Sequence, residues 1–498
     1  MPRSPLTPLV FLLLVTGSVG AQDLRIEHVA LVSADSPQTR PDASVLVERG
    51  RITEVAIAPA TLSARARAVK TAIDGTGLFL TPGLIDSHVH LGRVPGMTAE
   101  HERAQPALAS AARKQIPRSY LQFGFTTLVD LVSTPDEMAT WQREPLHPDT
   151  YFCGGAIRID GYPMNYAPKP QRYQRAAYML LDGEPAPAGI DPQQHTPEAV
   201  VKRIKADGGR CVKLFFERGF GGVKDLPVLS LDTARAVTRA AHDAGLVVFQ
   251  HANSTEAQTF ALDAGVDVLA HGMWRWTQQG TDLTPELTQL LDRIIKDRRG
   301  YQATIQVLYG ELDLFNPEFF AEPLLARALP APLLAWYRTK AGQWFRDSVA
   351  PALVPAGTSE DPAERWQAMR AKYDRPLGRS RAVATYLAQH DARFLFGTDT
   401  PSGPTYVNVP GWNGLRELQR LASAGLTPAQ IFRAATLSNA EALGLSDQVG
   451  IVSVGRRANL LLLRADPTQT VDAYNDIVKV ILGGRVLDPK ALSANQTR

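Results

Sequence analysis

The sequence predicts an α/β protein: a (β/α)8 barrel of the TIM type joined to a small β-sandwich domain built from both chain ends. Three observations carry this expectation. Short apolar runs alternate with amphipathic helical stretches through the middle of the chain, residues 81–446. Turn-punctuated, β-branched segments fill residues 22–80 and return at 447–490, so the two ends are expected to meet in one small domain. Several of the central apolar runs also stop on a side chain of metal-ligand type, as in GLIDSHVH and FLFGTD.

In chain order, LRIEHVALVSA, ASVLVERGRITEVAI and TAIDGTGLFLTPG read as strands broken by Gly, Asp and Pro. Barrel strands are expected at 84–90, 125–131, 150–156, 211–216, 246–251, 267–272, 301–308 and 394–399. Between them, TPEAVVKRIKADGG and LDTARAVTRAAHDAGL carry apolar residues at helical spacing, and Gly245 follows the second as a stop. Thr427-Pro428 reads as an N-cap and first helical residue. GIVSVGRRANLLLLRADP and IVKVILGGRVL resume the strand texture. A barrel needs about 250 residues, so much of this chain is elaboration. Two insertions stand out, 158–198 after the third strand and 309–390 after the seventh. Both leave from strand C-terminal ends, where barrel sites lie, and read as lids over a pocket. A homo-oligomer contact is the alternative for the second.

The chain has 498 residues, with 53 basic and 50 acidic side chains and a net charge of +3. That balance argues against nucleic acid as a partner. Arg3, the apolar run Leu9 to Val15 and the small residues Val19 and Ala21 read as an export signal, residues 1–21, cleaved after Ala21 into a periplasmic or secreted protein. No other segment is long and apolar enough to span a bilayer, so a transmembrane protein is not expected. The two cysteines, Cys153 and Cys211, fall in predicted strands. Export would permit a disulfide, but buried thiols are the plainer expectation.

The chemistry concentrates at the strand ends. His88 and His90 alternate along one strand, so they share a face. An imidazole pair of that kind can grip one side of a metal ion, although alone the pattern is weak. His251 and His271 end two consecutive predicted strands, where a core histidine would be the ordinary reading. Asp399 ends another strand and must be paired, bound to a cation, or capping a helix. Lys213 lies within CVKLFF, and burial of its ammonium is costly. It either pairs with Glu217 or loses its proton and reacts as a nucleophile; capture of carbon dioxide would turn it into a bridging carboxylate.

Taken together, TPGLIDSHVHLG, the Lys-bearing CVKL, His251, His271, GTDT and LTPAQIFRAATLSNAEALGLSDQVGIVSVGRRANLLLLRADP resemble the amidohydrolase superfamily of metal-dependent hydrolases. The strand bearing Lys213 is similar to the subgroup of imidazolonepropionase-like and Xaa-Pro dipeptidase-like enzymes. The resemblance implies two divalent cations, zinc by ligand type. His88, His90 and Asp399 would hold one, and His251 and His271 the other. Carboxylated Lys213 would bridge them with a hydroxide. Asp399 would act as general base and then general acid while an amide C–N bond breaks. Two positions depart from the family pattern. Asn459 stands where Asp is usual, and KLFFERGFGG replaces a small-residue loop.

A small-molecule substrate, a dipeptide or N-acyl amino acid, would meet side chains on the loops: Arg158, Tyr162, Asn165 and Tyr166 after the third strand, and Trp274 and Trp276 after the sixth. Arg158 could clamp a carboxylate. The alternatives are cyclic amide, lactone or phosphotriester hydrolysis, or deamination at one metal, for which Glu256 is the nearest extra acid. From a different class, a non-catalytic binding protein on a degenerate barrel stays open.

Overall fold

Alternating burial sets the first strand, β1 (Leu24–Leu31), which buries Leu24, Ile26, Val29 and Leu31. The alternation slips by one residue at His28, φ +59°, where the pairing with the next strand shifts register. The computed structural model describes residues 23–58, 60–174, 178–181, 184–220 and 223–495; the expected export segment, 1–21, lies outside them. β2 (Arg40–Glu48), β3 (Arg51–Ile57), β4 (Ala72–Asp74) and β5 (Phe79–Pro82) complete the N-terminal set. Seven parallel strands follow in one sheet: β6 (Leu84–Val89), β7 (Phe125–Asp130), β8 (Asp149–Gly155) and, after a short two-stranded pair β9 (Ile157–Arg158) and β10 (Tyr178–Met179), β11 (Cys211–Phe215), β12 (Val247–His251), β13 (Val268–Ala270) and β14 (Gly300–Gln302). β15 (Leu460–Leu463), β16 (Ile477–Leu482) and β17 (Arg485–Leu487) return to the first sheet.

That first sheet runs β17-β16-β15-β5-β1-β2-β3, with β4 on β1, so strands from both chain ends share one hydrogen-bonded layer. Asn459 ties it to the parallel sheet. Its Nδ2 donates to Asp149 Oδ2 at 2.8 Å, and its Oδ1 accepts from Gly483 N at 2.9 Å.

The parallel sheet runs β6-β7-β8-β11-β12-β13-β14. Residues 394–400 bond to both of its edges: Leu395 N to Tyr301 O at 3.0 Å, and His90 N to Thr400 O at 2.8 Å. The helices between strands form where expected. Pro197–Ala206 is capped by Thr196 and Leu231–Asp243 by Ser230; a capping box of Thr427 and Gln430 opens Pro428–Arg433.

Two expectations are corrected. The seventh strand stops at Gln302, and residues 305–313 are helix instead of strand. Thr304 turns at φ +40°, and the Glu417 carboxylate accepts from Ile305 N and Gln306 N at 3.0 and 2.7 Å, fixing a helix start there. The cysteines are a disulfide, not free thiols. Cys153 and Cys211 are registered neighbours on β8 and β11, with Cα atoms 4.4 Å apart, which is bridging distance.

The 309–390 insertion is helical, ending in a long helix Pro362–Gln389. It packs on the loop after β6: Tyr337 Oη donates to Pro95 O, and Trp344 Nε1 to Gly96 O at 2.9 Å. Among the described residues no helix is long and apolar enough to cross a membrane.

Candidate metal centre

The strand ends gather the expected residues. A buried polar lock first fixes β6 against residues 394–400. Asp86 accepts from Thr398 N at 3.1 Å and Thr398 Oγ1 at 2.7 Å. Ser87 Oγ donates to Phe396 O at 2.7 Å. Asn439 Nδ2 donates to Ile85 O and Phe396 O, at 2.9 and 2.8 Å. Gly397 permits the close approach, since a Cβ there would lie 2.6 Å from His88 Cβ. The lock brings Asp399, at φ +57°, to the histidines. Its Oδ1 lies 3.2 Å from His88 Nε2 and 3.0 Å from His90 Nε2, and its Oδ2 lies 4.0 Å from His271 Nδ1. The His271 ring centroid is 5.0 Å from that of His88 and 4.5 Å from that of His251. Among the described residues, His88, His271 and Asp399 offer ligand atoms all within 4.8 Å of one another.

Lys213 is 1% exposed, and its Nζ has no hydrogen-bond partner. Its charge is felt at His88, His251 and His271. Glu217 does not pair with it. That carboxylate turns instead to His251 Nε2 at 3.2 Å, Asn253 Nδ2 at 3.0 Å, Arg275 Nη1 at 2.8 Å and Gly219 N at 2.8 Å.

Each imidazole is held from behind. His88 Nδ1 meets Gln302 Oε1 at 3.1 Å, and Gln302 Nε2 donates onward to Ser87 Oγ at 2.8 Å, which sets the amide orientation. His90 Nδ1 is 3.6 Å from Asp130 Oδ1, itself anchored by Leu91 N and Val132 N at 2.7 and 3.0 Å. His271 Nδ1 meets Thr304 Oγ1 at 3.1 Å. Such outer partners fix which ring nitrogen faces inward. Sequence reasoning missed Gln302, Asp130 and Thr304 as partners of the site and weighed Glu217 only as the alternative partner of Lys213.

Burial dominates the protonation states. It lowers His88 to about 3, with the Lys213 charge adding, and holds His271 well below its ordinary value. It brings Lys213 down to about 7. At His90 burial is outweighed by hydrogen bonds to Asp130 and Asp399, which push it up to about 9. Asp399 is buried too, yet the charges and hydrogen bonds of His88 and His90 hold it well below the carboxylate range. Neutral His88, His251 and His271, a His90 whose ring a cation would deprotonate, an unpartnered amine and an ionised carboxylate are a donor set that fits divalent cations.

The loop residues are placed less uniformly. The Tyr162 ring sits 5.1 Å from the His251 ring, with Tyr166 packed against it at 5.9 Å and largely exposed. Trp274 lies 6.1 Å from His271. Trp276 instead lies under the Arg379 guanidinium at 4.3 Å. Arg158 is tied to Asp160 at 2.7 Å and Glu184 at 2.8 Å, and Asn165 O accepts from Arg172 at 3.1 Å. Glu256 pairs outward with Arg218 at 2.9 Å on the surface.

The amidohydrolase family model matches residues 374–487. No curated protein sequence matches the chain. A Xaa-Pro dipeptidase with bound methionine superposes at TM-score 0.64 and 19% identity, covering 94% of this chain and 100% of its own. The A. niger ochratoxinase superposes at 0.64 and 18%, covering 94% and 96%. Phenylurea hydrolase B superposes at 0.63 and 18%, covering 94% and 98%. At these identities the likeness establishes the fold. With the family match over residues 374–487, it bears out the amidohydrolase resemblance carried by the motifs.

Proposed function

We propose that the chain is a binuclear metal-dependent hydrolase that cleaves an amide bond of a dipeptide or N-acyl amino acid. The observation that carries this is Lys213 Nζ, buried without a partner among imidazoles and beside Asp399 in charge. Only a neutral amine adds carbon dioxide, and burial favours that form here. Two divalent cations, zinc by donor type, held by His88, His90, carboxylated Lys213, His251, His271 and Asp399, would supply an activated water and a polarised carbonyl. Asp399 takes the proton from the attacking water and passes it to the leaving nitrogen. Gln302, Asp130, Glu217 and Thr304 keep the imidazoles in the tautomers that this requires. Tyr162 and Trp274 wall the pocket and exclude water.

The backbone bonds of residues 394–400 to both sheet edges support a closed (β/α)8 barrel over residues 81–446, and the sheet shared by strands of both chain ends supports one small β domain from 22–80 and 447–490. The cystine supports export, since such bonds persist in oxidising compartments. The mature chain would then begin at Gln22, a point that N-terminal sequencing of the exported protein checks.

Elemental analysis of the purified protein, paired with a hydrolysis screen of dipeptides and N-acyl amino acids, tests the reading. Two ions per chain and amide turnover are expected, with Asp399→Asn losing about 10²–10⁴ in kcat. One ion with ammonia release from an amino-heterocycle would replace it with a deaminase. Absence of turnover and of bound metal would leave a binding protein.

A further inference from the structure

The arginines around the open end of the sheet are mostly engaged. Arg158 is held by Asp160 and Glu184, Arg218 by Glu256, and Arg275 by Glu217 and by the Gly219 carbonyl at 3.3 Å. Arg379 donates to the carbonyls of Trp276 and Gly280. Arg93 differs. It is exposed, and among the described residues it makes no hydrogen bond or ion pair.

Its place is well defined. It follows His90 by three residues, on the loop that leaves β6. That loop is anchored before it, by Leu91 N on Asp130, and after it, by Tyr337 on Pro95 and Trp344 on Gly96. An arginine between two such anchors loses little backbone freedom when it binds. The charge of Arg93 also acts on the Tyr162 hydroxyl, as do those of Asp399 and Glu217. Arg93 thus leaves the strand end that carries His88 and His90, and the Tyr162 ring packs against site His251 with centroids 5.1 Å apart.

We propose that Arg93, and not Arg158, receives the substrate carboxylate, so that the enzyme selects amides bearing a free acid. The assignment rests on the hydrolase reading for its substrate class. A planar guanidinium free on the rim can meet a carboxylate with two parallel hydrogen bonds. Arg158 would first have to leave two carboxylates.

The test is calorimetric binding and turnover of N-acetyl-leucine, N-acetyl-methionine and N-acetyl-phenylalanine beside their C-terminal carboxamides. Wild type is expected to bind the acids about tenfold to a hundredfold tighter than the amides, and Arg93→Gln to lose that preference through KM with metal content unchanged. Arg158→Gln is expected to keep it. Wild type without a preference for acids, or Arg93→Gln retaining one, overturns the assignment. Binding of the acids without hydrolysis would overturn the hydrolase reading while leaving Arg93 supported.

Discussion

Glu217→Gln separates a carboxylate that orients a metal ligand from one that merely fills space. Glu217 is 3% exposed and accepts four hydrogen bonds, from His251, Asn253, Arg275 and Gly219. The amide keeps the shape but has one accepting oxygen, and its NH₂ now faces donors. Two charge-assisted bonds are lost, each contributing about 1.5–3 kcal/mol, so destabilisation of about 3–6 kcal/mol is expected. The His251 ring also loses the acceptor that holds its Nε2. Loss of such an outer partner costs about 10–100-fold in metal affinity, or about 1.4–2.8 kcal/mol. Urea unfolding of the metal-free protein measures the first quantity, and competition with a zinc-binding chelator the second. A folded Glu217→Gln variant with undiminished affinity for both ions would refute the orienting role, and a stability loss alone would leave Glu217 a structural anchor.

Three further predictions follow from the same packing. Lys213 falls from 10.5 to about 7 on burial, so between those values the unfolded chain holds a proton that the folded chain lacks. Stability of the metal-free protein should therefore rise with pH across that window, by about 5 kcal/mol at most, and Lys213→Met should flatten the rise, stabilise the apoprotein near pH 7 and abolish metal bridging, all readable from melts against pH and metal analysis. Asn439→Leu should cost about 3–5 kcal/mol in urea unfolding and weaken metal binding, because it strips donors and acceptors from Ile85, Ser87 and Phe396 in a fully buried site. Reducing Cys153–Cys211 opens a loop of 58 residues, for which chain entropy gives about 4 kcal/mol; equal denaturant midpoints with and without reductant would count against the bond.

What was legible beforehand was whatever repeats at short range. Apolar runs that end in His88, His251, His271 and Asp399 announced parallel strands, and the Thr427 cap announced where a helix begins. The seventh strand was overextended because YQATIQVLY is as apolar as a strand. Only the Glu417 carboxylate, more than a hundred positions away, shows that a helix starts inside it.

The sequence by itself determined which side chains of metal-ligand type stand at the strand ends and in what order, because side-chain chemistry and strand periodicity are local properties. Tertiary structure decided how each group is partnered: Gln302 behind His88, Glu217 on His251 instead of Lys213, Arg158 neutralised while Arg93 stays free, and Cys153 against Cys211. Those pairings depend on which strands become neighbours and in what register. Burial, which then sets each group's charge, arises only when distant elements have packed around it.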